Sequence, residues 1–361
     1  MIAIVNNHWM HYKDLLFRSL SEKKVDFVAV FSALGSSQRA APALNEGYNY
    51  RVLYPGDYEK RSHAKTGYRA WRTLQQLKPS TVIIEGWRDL SSWTAWLWAI
   101  LHKVPIIFWS ESNDFDKPRN PMAEWPKRLF ASRVSYGHVY GRSNRDYLTN
   151  LGIPKDKVLL DRVVVNTEMF LSRQSSFDSA ALRFLYVGRL APEKNLEYLL
   201  NEFSSFVKQA RLAHTLTIVG SGPLAPKLEA QVKTLGLEKS ACLTRSMPYE
   251  RLGDTYAASH IFVLPSLSEP WGLVAAEAMC AGLPAIISSR CGCAADLVTE
   301  KTGWLFDPAG SGNLAEALSR VAATPIETIA AMGLRARHLA AKYSPANAAD
   351  LVISSISLSH K

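Results

Sequence analysis

Cysteine is scarce, four in 361 residues, and all of it lies in the second half as Cys242, Cys280, Cys291 and Cys293. The Cys291-Gly-Cys293 spacing is too short for the usual zinc pairs, and no histidine cluster accompanies it. Reduced thiols in a cytosolic protein are the expectation. No apolar run reaches the length of a membrane span, and the first residues lack a signal peptide's basic start and long apolar core. Short-period repeats, low-complexity segments and coiled-coil heptads are missing. So is any recognisable nucleic-acid module, which weighs against nucleic acid as a partner. What is present is ordinary for a soluble globular chain: 47% hydrophobic and 20% charged residues, in a length that suits two domains.

The net charge of +10 is unevenly spread. Through residue 165 there are 24 Lys and Arg against 15 Asp and Glu; the remainder holds 18 (42 − 24) against 17 (32 − 15). A basic first half predicts an anionic partner, a membrane surface or a phosphate-bearing acceptor, or simply a solvated basic surface.

The first half alternates apolar strands with helical stretches, the pattern of a doubly wound sheet. Candidate strands are residues 2–5, 26–30, 81–85, 106–108 and 137–140, and residues 34–60 read as irregular. The helix after residue 85 carries Trp93, Trp96, Leu97, Ile100 and Leu101 on one face, predicted as core. Residues 124–133 begin a basic amphipathic helix, suited to an anionic membrane surface or to plain solvent exposure. Ser110, Glu111, Ser112, Asn113 and Asp114 follow a strand end, where open α/β sheets gather ligands. A second βα series has strands at 184–188, 215–219, 241–244, 261–264 and 284–287, after a boundary expected at 172–180.

The most informative stretch runs from Ile261 to Ala278, I-F-V-L-P-S-L-S-E-P-W-G-L-V-A-A-E-A. Its opening is a strand buried on both faces, Pro265, Ser266 and Ser268 form a loop, and a helix starts near Trp271. Unpaired first-turn N–H groups and the helix dipole favour an anion such as phosphate there. Glu269 sits on the loop and Glu277 eight residues later on the helix.

Glu269-Pro-Trp-Gly-Leu-Val-Ala-Ala-Glu277, with Pro265-Ser266 before it and Ala281-Gly282-Leu283-Pro284 after it, resembles the E-x7-E signature of retaining glycosyltransferases, family 4 in particular. Gly188-Arg-Leu-Ala-Pro-Glu-Lys194 matches that family's phosphate-binding G-R-x-x-x-x-K, and Val219-Gly220-Ser-Gly222-Pro its glycine turn. The resemblance is strongest over roughly 181–310 and continues more weakly through 136–170; before that it is one of layout. It implies the GT-B fold, two Rossmann-like α/β domains facing across a cleft. Residues 1–170 would bind acceptor and 181–344 the nucleotide-sugar donor, with a helix over 345–361 crossing back to the first domain. Arg189 and Lys194 would stabilise charge growing on the leaving diphosphate, without a metal. Glu269 and the N–H groups of Trp271, Gly272 and Leu273 would hold sugar hydroxyls and the distal phosphate, and Glu277 the ribose. Gly188, Gly220 and Gly222 would line the diphosphate, and Arg245, Ser246 and Met247 the base; Arg245 stands where glycine is common in the family.

The first domain departs from the pattern. Asn6-Asn7-His8-Trp9 replaces the family's glycine-rich loop, and Trp-Ser-Glu111-Ser replaces its histidine loop. Asn7, His8, Trp9, Glu111 and Asp114 are therefore the acceptor-binding candidates, with Glu111 also an acid/base helper. His11 and His138 are further candidates for that role. Asp114-Phe-Asp116 spells a D-x-D metal motif, but that device belongs to a different fold, so neither metal nor other cofactor is expected. The reading is a retaining hexosyltransferase, cytoplasmic or at the inner face of the cytoplasmic membrane, using a UDP- or GDP-linked sugar. The acceptor is a lipid-linked saccharide of an envelope, capsular or O-antigen polysaccharide, or else a soluble molecule. A nucleotide-sugar epimerase, a phosphorylase and a non-catalytic nucleotide-sugar-binding subunit are the alternatives.

Overall fold

The computed structural model describes residues 1–36, 47–114 and 121–360, the side chain of Pro121 apart. Its contacts divide the chain into two compact units, Met1–Val164 with Ser344–Lys361, and Val165–Tyr343. Both are doubly wound α/β, as the strand–helix alternation predicts.

The first unit is built on a seven-stranded parallel sheet in the order β3-β2-β1-β4-β5-β6-β7. The strands are β1 (Ile2–His8), β2 (Phe27–Gly35), β3 (Tyr50–Asp57), β4 (Thr81–Glu85), β5 (Ile106–Ser110), β6 (Tyr136–Val139) and β7 (Val158–Leu159). Strand side chains alternate between faces, and here both faces are covered. Ala3, Val5, Val28, Val30, Val82 and Ile84 enter one core, while Ile2, Ile4, Phe27, Ala29, Ile83 and Ile107 enter the other. That is why the strand sequences are apolar throughout rather than at every second residue. The terminal helix Pro345–Ser359 joins the second core through Ala348, Ala349 and Val352, beside Leu16, Phe17 and Leu20 of the helix His11–Glu22. Its start combines Pro345 in the first turn with a Ser344 hydroxyl that accepts from the Asn347 N–H at 3.2 Å.

Two expectations need correction in this unit. Residues 50–57 of the supposedly irregular stretch form β3, the sheet's edge; residues 37–46 lie outside the described part. On the tryptophan-bearing helix Leu90–Leu101, Trp93, Trp96 and Ile100 pack against the core as expected, but the fully buried positions are Ser91, Ser92, Ala95, Trp98 and Ala99, and Leu97 and Leu101 are exposed. Small residues let this helix lie close to the sheet, and Trp93 and Trp96 pack sideways against Phe130. After Val164 the chain passes to the second unit without forming a strand, and there the Asn166 side chain caps a short helix, Thr167–Leu171.

The second unit holds a six-stranded parallel sheet ordered β10-β9-β8-β11-β12-β13. These are β8 (Arg183–Val187), β9 (Thr215–Val219), β10 (Ala241–Thr244), β11 (Ile261–Leu264), β12 (Ala285–Ser288) and β13 (Gly303–Phe306). Gly303 lies against the Ala285 carbonyl, where an added Cβ would come within 2.2 Å of the oxygen. Residues 165–180 belong to this unit, with the Ser175 N–H donating to the Ala281 carbonyl at 3.1 Å.

Candidate functional site

In the second unit the strand order reverses between β8 and β11, so the loops leaving their carboxyl ends splay apart, the usual ligand position in such sheets. The loop after β8 is held by main-chain bonds to the loop after β9: the Leu190 N–H donates to the Ser221 carbonyl at 2.9 Å, and the Leu224 N–H to the Leu190 carbonyl at 3.0 Å. A Cβ on Gly220 would sit 1.9 Å from the Gly188 oxygen, and one on Gly222 2.4 Å from the Leu190 oxygen. These glycines permit two backbones to touch, a structural demand that exists before any ligand arrives.

The Leu267 N–H donates to the Glu193 carbonyl at 2.9 Å, so the loop after β11 is tied to the loop after β8. Across that tie Lys194 forms an ion pair with Glu269, with 12% and 13% of their side-chain surfaces exposed. Arg189, half-exposed, pairs with Glu193 at 2.6 Å. The segment behind Glu269 is fixed from β12's side: the Gly292 N–H donates to the Glu269 carbonyl at 3.0 Å and the Cys293 N–H to the Trp271 carbonyl at 2.9 Å. Trp271 is buried, its indole N–H directed at Asp296 at 3.4 Å. Gly272 then turns the chain at φ +106°, a conformation that favours glycine, and the helix Leu273–Cys280 begins two residues later than Trp271. Burial pushes the Cys280 thiol up to about 12 and the Cys291 and Cys293 thiols above their ordinary range, so none is a nucleophile here.

Glu277 is buried on that helix, 8% exposed. One carboxylate oxygen accepts from the Tyr249 hydroxyl at 3.2 Å and the other from the Tyr256 hydroxyl at 3.0 Å. Loss of water pushes its carboxyl up to about 7, against the pull of the two hydroxyls in the opposite direction. Arg245 and Ser246 are exposed just past β10; Met247 is half-buried and its sulfur accepts from the Thr255 hydroxyl at 3.2 Å.

In the first unit, Glu111 follows β5 and directs one oxygen at two hydroxyls, Tyr12 at 3.0 Å and Tyr140 at 2.5 Å. The Asn144 amide donates to the Glu111 carbonyl at 2.8 Å and fixes the backbone beneath it. Asn7 and His8 belong to β1 itself rather than to a loop after it, His8 with its ring 5.1 Å from that of Tyr58; Trp9 follows, half-buried. These residues share the carboxyl edge of the sheet with Glu85, whose buried carboxylate pairs with Lys13. Asp114 is exposed, and Asp116 lies outside the described residues. His138 is a correction: it is fully buried on β6, neither ring nitrogen has a hydrogen-bond partner, and desolvation holds it down to about 3. A neutral imidazole sealed in a sheet serves no acid/base step. Tyr12, Tyr140, Tyr249 and Tyr256, which complete these carboxylate environments, carry no mark in the sequence, because nothing in their spacing signals a partner at a distance.

Residues 169–339 match the family model of glycosyl transferases group 1. The chain is 38% identical over 128 residues to sulfoquinovosyl transferase SQD2 of Arabidopsis thaliana, covering 34% of this chain and 23% of that protein. It is 29% identical over 350 residues to the D-inositol 3-phosphate glycosyltransferase of Kribbella flavida, 86% of this chain and 81% of the relative. The chain thus spans only about a quarter of the Arabidopsis relative's length. Among solved structures, the sucrose-phosphate synthase from Thermosynechococcus elongatus is similar with a TM-score of 0.79 at 20% identity, over 99% of this chain and 98% of that one. That likeness is one of fold, the GT-B fold.

Proposed function

We propose that the chain is a retaining glycosyltransferase of family 4 that moves a hexose from a nucleoside diphosphate sugar to an acceptor hydroxyl. The observation that carries this is the meeting of Lys194 with Glu269 at the β8/β11 reversal, with Arg189 on the same loop. Cations there stabilise the diphosphate as the bond from its oxygen to the sugar's anomeric carbon breaks. The acceptor oxygen bonds to that carbon on the same face, and its proton passes to the departing phosphate oxygen. This route needs neither an enzymic nucleophile nor a metal. Glu269 serves the sugar hydroxyls, Glu277 the ribose and the segment 245–247 the base. The similarity of residues 169–339 to glycosyl transferases group 1 supports this assignment of the second unit.

The first unit takes the acceptor. Glu111, its carboxylate held by Tyr12 and Tyr140, is the hydroxyl-binding group, with Asn7, His8, Trp9 and Asp114 near the same sheet edge. A lipid-linked saccharide is the favoured acceptor. The helix Pro121–Ala131 exposes Met122, Trp125 and Leu129 together with Arg128, apolar surface beside positive charge. Among the described residues no helix is long and apolar enough to cross a membrane.

Thermal-shift measurements over UDP, GDP and their hexose conjugates test the reading, since a ligand of the native state raises the melting temperature by mass action. A rise with at least one diphosphate, abolished in Lys194→Met, is expected. No shift with any of them defeats the proposal.

A further inference from the structure

Glu277 is set in an environment that helix packing does not require. Its neighbours on the helix Leu273–Cys280 are Ala275, Ala276, Ala278 and Met279, all buried, and an apolar residue at position 277 would be cheaper to desolvate. Instead the fold buries a carboxylate and supplies one hydroxyl to each oxygen. Both donors are aimed by the core. Tyr256, on the helix Leu252–Ala257, is fully buried, its ring set edge-on to Phe170 at 5.5 Å and to Phe262 at 6.1 Å. Tyr249, half-buried on the preceding 3-10 turn, packs edge-on to the same Phe170 at 5.7 Å. A rigid aromatic brace therefore points two hydroxyls at one acid.

Other charged groups on the surrounding elements are otherwise engaged. Arg337, on the helix packed beside this one, donates to the carbonyls of Leu171, Arg173 and Cys280. Asp254 pairs with Arg173 at 2.7 Å, Glu168 on the helix Thr167–Leu171 is exposed, and the Cys280 thiol is neutral. A carboxylate offers about four lone-pair positions. The tyrosines occupy two of them, one per oxygen, and leave one on each.

We propose that Tyr256 and Tyr249 are the positioning residues of Glu277, orienting its carboxylate so that the two remaining lone-pair positions accept the two ribose hydroxyls, and that this arrangement selects ribo- over deoxyribonucleotide donors. The proposal rests on the reading of the second unit as the nucleotide-sugar lobe. Tyrosine suits the task because its hydroxyl reaches the carboxylate at the end of a stiff ring, so little freedom is lost in aiming it. Two neutral donors favour the ionised acid without cancelling its charge, which a neighbouring lysine or arginine would do.

The test uses the full chain as wild type, Tyr256→Phe, Tyr249→Phe, Glu277→Gln and the Tyr→Phe variants in the Glu277→Gln background. Calorimetric titration compares UDP with 2′-deoxy-UDP and GDP with 2′-deoxy-GDP. A second series from about pH 5.5 to about 8.5 uses UDP-glucose and GDP-mannose, whose diphosphate charge is constant in that range. The wild type is expected to prefer the ribonucleotide by about tenfold or more, the worth of a hydrogen bond to a charged group. Tyr256→Phe narrows that ratio to about two- to threefold and raises the pH midpoint of binding by about half a unit to one unit, because the carboxylate loses a donor. Tyr249→Phe does the same to a lesser degree, and both effects vanish in Glu277→Gln. Variants with wild-type melting temperature that keep the ratio and the midpoint overturn the proposal; should Tyr256→Phe fail to fold, Tyr249→Phe decides. Equal binding of ribo and deoxy forms by the wild type defeats this inference and leaves the nucleotide-sugar reading standing. Binding of neither base series defeats both.

Discussion

Lys194 and Glu269 stand 75 positions apart in the chain and form an ion pair from which most solvent is excluded. One belongs to the loop after β8 and the other to the loop after β11, so the contact exists only because those strands are neighbours in the sheet. A shielded cation beside a shielded carboxylate can serve two parts of one ligand at once, a phosphate and a sugar hydroxyl.

The two members of the pair should separate in their effects. If Lys194 serves the diphosphate as proposed, Lys194→Met is expected to weaken binding of UDP or GDP by about a hundredfold. Glu269→Gln should leave diphosphate affinity within about threefold while lowering sugar transfer by two to three orders of magnitude, on the order found for single charge-stabilising groups. Calorimetry and a radiolabelled-sugar transfer assay make the comparison. Equal losses in both measurements for both variants would sink the division of roles.

Glu277 should print a pH signature on stability. Its carboxyl is pushed up to about 7 in the fold from an ordinary 4.5, so between those values the native protein keeps a proton that the unfolded chain has released. Stability therefore falls as pH rises through that window, by roughly 3 kcal/mol if the whole shift is expressed. In Glu277→Gln this fall should be missing. Urea unfolding at about pH 4.5 and about pH 7.5 supplies the test; equal changes in wild type and variant would contradict it.

Lys13 and Glu85 form a buried ion pair, 4% and 5% exposed, in which the ammonium also donates to the His8 carbonyl at 3.1 Å. Lys13→Met strands the carboxylate of Glu85 and is expected to cost about 3–5 kcal/mol. Adding Glu85→Leu should recover most of that loss. Denaturant midpoints of the single and double variants measure it, and a double variant no better than the single would show that the pair is not the cause.

Gly220→Ala places a methyl group 1.9 Å from the Gly188 oxygen, and backbone must move to admit it. The expected loss is about 3 kcal/mol, with weakened binding of diphosphates because the loops after β8 and β9 shift together. A thermal midpoint equal to wild type would refute the close approach.

How much of this was legible depended on where a strand sits in its sheet. Central strands such as Thr81–Glu85 and Ile261–Leu264 are apolar on both faces and stand out as uninterrupted runs. The edges do not. Tyr50–Asp57 carries an exposed Arg51, with Pro55 and Gly56 inside the strand, residues an edge tolerates and a centre does not. Gly303–Phe306, at the far edge of the other sheet, is four residues long with Leu305 exposed, and it escapes prediction for the same reason. On the helix Leu90–Leu101 only Leu97 and Leu101 depart from the predicted core face, because the positions closest to the sheet go to Ser91, Ser92, Ala95 and Ala99 beside Trp98.

The candidate site divides along similar lines. Local order along the chain sets Arg189, Lys194, Glu269, Trp271, Gly272 and Glu277 at strand ends and a helix start, since strand, turn and helix each have a period and a vocabulary of their own. The α/β class and the existence of two units follow from that same local grammar. Partnership does not. That Lys194 meets Glu269, that Tyr249 and Tyr256 hold Glu277, that Tyr12 and Tyr140 hold Glu111 and that His138 is sealed away depend on which strands lie side by side and on how much water the packing leaves. Burial and neighbourhood are properties of the folded whole, so only the tertiary structure decided them.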